Sequence, residues 1–159
     1  MTGSPQFPTL FSPLQVGGRT FRNRIALSAT LTNYGSGHRV TERWSNFLIE
    51  RAKGGCGAII SEVIAVDPTA LAHGAIVAGY EAANEEAFKR TAGAVEAAGA
   101  CLIAQLWHPG RQQLWSPVRF PKGISDQPDA LSCQFAVVHP MRYVATTIHF
   151  LNHELVAVI

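Results

Sequence analysis

The chain has 159 residues, a net charge of +2, 47% hydrophobic residues and 15% charged ones, the last well below the roughly 25% usual in soluble domains. That length suits one ordinary domain with a real core, and the absence of any basic run excludes a surface that tracks nucleic-acid phosphates. No apolar run is long enough to span a bilayer, and Met1 to Pro8 lacks the charged-then-apolar profile of a signal peptide, so a cytoplasmic location is expected.

Met1 to Pro8 reads as a disordered lead. Leu10–Leu14 and Val16–Phe21 form two short extended pieces around Gly17-Gly18, the pattern of a hairpin. Asn23 to Ala29 turns from apolar to small polar residues and is expected to be the first buried strand. Asn33 to Val40 is a loop holding Gly35-Ser36-Gly37, which lacks the Gly-Lys-Ser/Thr ending of a phosphate loop. Thr41 can cap a helix with Glu42 in its first turn. Trp44, Phe47, Leu48 and Ala52 repeat at helical spacing until Gly54-Gly55 stops it. Their spacing makes them core.

Ala58 to Val66, rich in β-branched residues, is the second strand. Glu62 within it needs a partner: a general base with a raised pKa is one reading, an ion pair or hydrogen-bonded cap at the strand end the other. Asp67 to Tyr80 reads as a long loop in which His73 lies at the surface. Asn84 is expected to cap a second helix, with Glu85 and Glu86 in its first turn, Phe88, Thr91, Val95 and Ala98 on one face, and Gly99 ending it.

Cys101 to Trp107 follows, a near-continuous apolar run of the kind buried on both faces of a parallel sheet. Gln105 interrupts it, and His108, a Pro-Gly turn and Arg111 end it, so polar groups gather where a strand gives way to its loop. In parallel α/β proteins that is where ligands bind. Gln105 offers both donors and an acceptor, and either pairs with a neighbouring backbone or with a ligand edge that alternates the two. The rhythm is strand, helix, strand, helix, strand, with parallel pairing expected. Pro109 to Cys133 is a loop whose Trp115 and Phe120 either cover a pocket or pack over the strand ends. From Gln134 the character changes: Phe135–Val138 and Tyr143–Leu151 are β-prone, and the chain runs apolar to Ile159. His149 and His153 stand four apart, but β-branched neighbours oppose a helix there and no third ligand is evident, so no metal site is expected. Cys56, Cys101 and Cys133 form no close-spaced metal pattern and suit a reducing compartment.

Leu10-Phe11-Ser12-Pro13-Leu14, Phe21-Arg22-Asn23-Arg24-Ile25, Glu50-Arg51-Ala52-Lys53-Gly54-Gly55 and Gln105-Leu106-Trp107-His108-Pro109-Gly110-Arg111 stand in this order along the chain. Together they resemble the N-terminal part of the Old Yellow Enzyme family, and the Trp-His-Pro-Gly-Arg form resembles its NADH:flavin oxidoreductase and 2,4-dienoyl-CoA-reductase-like branches. The resemblance covers about residues 9 to 133. It implies an α/β fold, the first three strands or so of an FMN-containing (β/α)8 TIM barrel, as a domain over 1–133 with a divergent tail over 134–159. It further implies reduction of activated C=C bonds in a small unsaturated molecule, with NADH or NADPH as reductant.

Carried over residue by residue, Ser28, Ala29 and Thr30 match the end of the first strand, whose backbone touches the flavin. Val63 matches the second-strand residue beside the ring, with Glu62 just before it, and Gln105 matches the glutamine that bonds the pyrimidine edge of FMN. His108 and Arg111 match motif positions in the vicinity of the site. Leu31 stands where several members carry a residue that tunes the flavin. The family's fourth-strand substrate pair, catalytic tyrosine, basic residue near flavin N1 and phosphate site would lie beyond this sequence, so no catalytic residue is assigned and a truncated or frameshifted frame is expected. Two functions stay open: the opening portion of an FMN-dependent oxidoreductase, or a non-catalytic fragment serving at most as a weak binding or interaction module. An incomplete barrel also leaves a sheet edge through which the chain would self-associate.

Overall fold

The computed structural model describes residues 6–110 and the backbone of residues 122–123, 139–140 and 156–158. In chain order the elements are β1 (Leu14–Val16), β2 (Arg19–Phe21), β3 (Ala26–Leu27), α1 (Glu42–Lys53), β4 (Ala58–Ala65), β5 (Val77–Ala78), α2 (Glu85–Ala97), β6 (Cys101–Trp107), β7 (Lys122–Gly123), β8 (His139–Pro140) and β9 (Val156–Val158). β1 and β2 form the antiparallel hairpin expected around Gly17-Gly18, with the first arm at Leu14–Val16 instead of Leu10–Leu14. Gly17 takes φ 57°, which costs glycine nothing sterically.

The main sheet runs β3-β4-β6-β9 with every neighbour parallel, and β5 pairs with the far end of β4. Asn23 to Ala29, expected to be one strand, contracts to the two residues of β3. Asn23 diverts the chain before it: its Oδ1 accepts from Ile25 N–H at 3.0 Å while its Nδ2 donates to Gly55 O at 2.8 Å. The expected loop from Asp67 to Tyr80 contains β5 and a short 3₁₀ turn at Pro68–Ala70. Two residues are too few to leave a periodic signal.

Both helices cover one face of this sheet. Thr41 caps α1 as expected, accepting from Trp44 N–H. Asn84 stands at the N-cap of α2 without capping it. Its buried side chain instead accepts from Val40 N–H and donates to the His38 and Ala78 carbonyls, tying three segments together. Trp44, Leu48 and Ala52 of α1 meet Phe88, Ala92 and Val95 of α2 over Ile59, Ile64, Leu102 and Ala104 of the sheet. Trp44 and Phe88 stack edge to face, with ring centroids 6.0 Å apart.

Arg22 closes the opposite end. Its guanidinium donates to Cys56 O, Ala52 O and Ala98 O, the carbonyls where α1 and α2 run out. Gly99, at φ +83°, leaves room for it: a Cβ there would lie 2.9 Å from Arg22 Nη1. Arg111, Trp115, Phe120, Cys133, the strands expected at 135–138 and 143–151, His149 and His153 lie outside the described residues, as does the boundary expected at 133/134. Residues 156–158, expected to belong to a separate tail, pair with Ile103, Ala104 and Gln105 of β6.

Candidate functional site

Side-chain alternation along β6 sends Leu102, Ala104 and Leu106 toward the helices, so Ile103, Gln105 and Trp107 leave on the opposite face. The register sets Val63 beside Gln105, and parallel neighbours project to the same side. Gln105 is half-buried, and among the described residues its side-chain amide has no hydrogen-bond partner. The first of its two expected alternatives, pairing with neighbouring backbone, is not what the structure holds. Pairing with β4 stops at Leu27, and in the segment that follows Ser28 and Thr30 are exposed and Ala29 is half-buried.

β4 is not a regular strand. Ile60 pairs with Ile103 and Val63 with Gln105, so Ser61 and Glu62 together oppose the single residue Ala104. This is a β-bulge, one extra residue that re-aims its side chains. Glu62 is 5% exposed. Its Oε2 accepts from Thr32 N–H, Thr32 Oγ1 and Asn33 N–H, while Oε1 is buried without a partner. The crevice it enters is lined by Thr30, Thr32, Trp44, Phe47, Leu48 and Ile60. Of the two readings open for Glu62, the contacts made are hydrogen bonds to Thr32 and Asn33, formed from a bulge inside β4 and not from a strand end. Thr32 and Ser61 carried no sequence signal beyond being small polar residues next to apolar ones.

His108, just past β6, is joined to the loop after β4. Its Nδ1 accepts from Gly110 N–H at 2.9 Å, which leaves Nε2–H to donate to Thr69 Oγ1 at 2.9 Å. Thr69 Oγ1 in turn donates to Asp67 Oδ1. This chain of hydrogen bonds clamps the end of β6 to the Pro68–Ala70 turn, and the same loop packs Ala70, Leu71, Ala72 and Ile76 against Val63, Ala65 and Trp107. Burial pushes the Cys101 thiol above its ordinary value, against the effect of Arg19 and with that of Glu96.

A parallel sheet with helices on one face and polar groups at its C-terminal strand ends has the build of part of a (β/α)8 barrel. Residues 9–156 match the sequence profile of the NADH:flavin oxidoreductase / NADH oxidase family, and the chain belongs to that family. The match continues past residue 133, where the motif resemblance stops. The chain is 29% identical over 123 residues to the N,N-dimethylglycine/sarcosine dehydrogenase of Chromohalobacter salexigens, covering 75% of this chain and 18% of that protein. It is 34% identical over 111 residues to the NADH oxidase of Thermoanaerobacter brockii, covering 67% of this chain and 17% of that one. The solved old yellow enzyme homologue from Zymomonas mobilis superposes with a TM-score of 0.66 at 28% identity, over 85% of this chain and 40% of its own. The chain thus spans well under half the length of these relatives. Among the described residues, no helix is long and apolar enough to cross a membrane.

Proposed function

We propose that this chain supplies the first three strands of an FMN-dependent oxidoreductase site, of the type that reduces activated C=C bonds in small molecules at the expense of NADH or NADPH. The observation that carries the reading is the half-buried Gln105 amide, which has donors and an acceptor and no protein partner among the described residues. A polar group in that state fits a ligand that offers both complements, as the pyrimidine edge of a flavin does. When bound, FMN supplies the hydride carrier between the nicotinamide and the substrate. Gln105 holds the ring edge, Val63 lies beside the ring, the backbone of Ser28, Ala29 and Thr30 borders it, and Glu62 fixes the segment that follows them. His108, held by Thr69 and Gly110 just past β6, stands in the vicinity of the site, and Arg111 is assigned to that vicinity by the motif alone.

The test is to titrate the protein into a trace of FMN and follow flavin fluorescence. Gln105→Ala is expected to weaken binding by about 1–3 kcal/mol, because it leaves polar flavin atoms unpaired in a partly dry site. Equal affinity in the variant would refute the assignment. The β3 edge, unpaired among the described residues, favours a second reading, a non-catalytic fragment serving as a weak binding or interaction module. Flavin binding with no oxidation of NADH or NADPH in the presence of an enone would select it.

A further inference from the structure

We propose that Ser61 is a positioning residue for Gln105, a role that rests on the flavin reading above. In a regular parallel ladder the Gln105 N–H would be accepted by a carbonyl of β4. At the Ser61–Glu62 bulge the register shifts, and pairing resumes with Val63 opposite Gln105. The Ser61 hydroxyl joins the ladder at that point: Oγ accepts from Gln105 N–H at 3.1 Å and donates to Glu62 O at 2.7 Å. A side chain has been inserted into the ladder, at a position 1% exposed to solvent. It fixes the peptide plane on the N-terminal side of Gln105, and with it the direction in which the Gln105 side chain leaves the sheet.

The requirement is narrow. The group must be small, buried, and able to donate and accept at once, which only a Ser or Thr hydroxyl does at that size. The same extra residue turns Glu62 to the other neighbour, where it holds Thr32 and Asn33. One bulge therefore sets both walls of the proposed flavin site, Gln105 through Ser61 and the segment after Thr30 through Glu62.

The experiment compares Ser61→Ala and Ser61→Thr in the full chain with Ser45→Ala. Ser45 forms a hydroxyl pair with Thr91 at 2.7 Å between the helices, away from the site, and so controls for lost stability alone. Amide hydrogen exchange at residue resolution is read together with FMN affinity. In Ser61→Ala the Gln105 amide is expected to exchange about tenfold faster or more while Ile103 and Leu106 stay protected, and FMN affinity falls about tenfold. Ser61→Thr restores both, and Ser45→Ala changes neither. Should Ser61→Ala fail to fold, Ser61→Cys keeps the size with a weaker donor and acceptor, and is expected to move both readouts in the same direction by less. Unchanged Gln105 protection overturns the proposal, as does faster exchange with FMN affinity untouched. A wild-type chain that never quenches flavin overturns the flavin reading and the proposal with it, whereas wild-type binding that the Ser61 variants leave unchanged overturns the proposal alone.

Discussion

Glu62 concentrates three donors on one oxygen and leaves the other with none. Replacing it with alanine strands two backbone N–H groups beside an apolar crevice, and with the Thr32 hydroxyl also released the cost is about 2–4 kcal/mol. Glu62→Gln keeps an acceptor on the loaded side and is expected to cost about 1–2 kcal/mol, the difference between a charge-assisted and a neutral bond. Urea unfolding of the two variants checks the order; an alanine variant no less stable than the glutamine one would mean that Thr32 and Asn33 find other acceptors. That a carboxylate inside an apolar strand needs a partner was legible in the sequence. The partner was not, because Thr32 lies thirty positions away and nothing in a hydroxyl or a backbone amide advertises its use. Gln105 was legible for the opposite reason: its capacity to bond is fixed by its chemistry, and its position at the end of an apolar run follows from the sequence.

At the scale of elements, Arg22 shows what joins the parts. The three nitrogens of a rigid fork make four hydrogen bonds to the carbonyls of Ala52 and Cys56 at the end of α1 and of Ala98 behind α2. Cationic charge at two helix C-termini is also favourable to both dipoles. Lysine has the charge but cannot bridge three carbonyls in one plane. Arg22→Lys is therefore expected to recover less than half of the stability lost in Arg22→Ala, itself about 2–4 kcal/mol, by chemical denaturation with tryptophan fluorescence. Equal stability of the lysine variant and the wild type would show that charge alone suffices. Helices α1 and α2, the hairpin and the long strands could be read from caps, glycine stops and apolar spacing. β5, the bulge and the short β3 could not. Each depends on a pairing partner far along the chain or on a side chain, such as Asn23, that competes with the ladder.

At the scale of the whole molecule, the described strands form a sheet that does not close on itself. On β3 the register pairs Ala26 and Leu27 with β4 on one side, and among the described residues no strand pairs with its other side. β6 is paired on its other side with β9 at Ile103, Ala104 and Gln105. Among the described residues β3 is one unpaired edge of the sheet, and beside it Ser28 and Thr30 are exposed and Leu31 is 53% exposed. An unpaired parallel edge next to apolar surface recruits further strands. Flavin affinity is limited for a separate reason. In the proposed site Gln105 would supply a neutral amide pair, and a neutral contact of this size offsets only a small part of the entropy lost on binding. Expressed by themselves, these 159 residues are therefore expected to self-associate and to purify colourless, binding FMN only when it is added. Size-exclusion chromatography with light scattering and visible absorbance decides this. A yellow monomer with one FMN per chain would show that the site is complete without further strands. A yellow oligomer would place the missing strands in neighbouring copies, and a Lys substitution at Ala26 on the β3 edge should then dissociate the oligomer and release the flavin together.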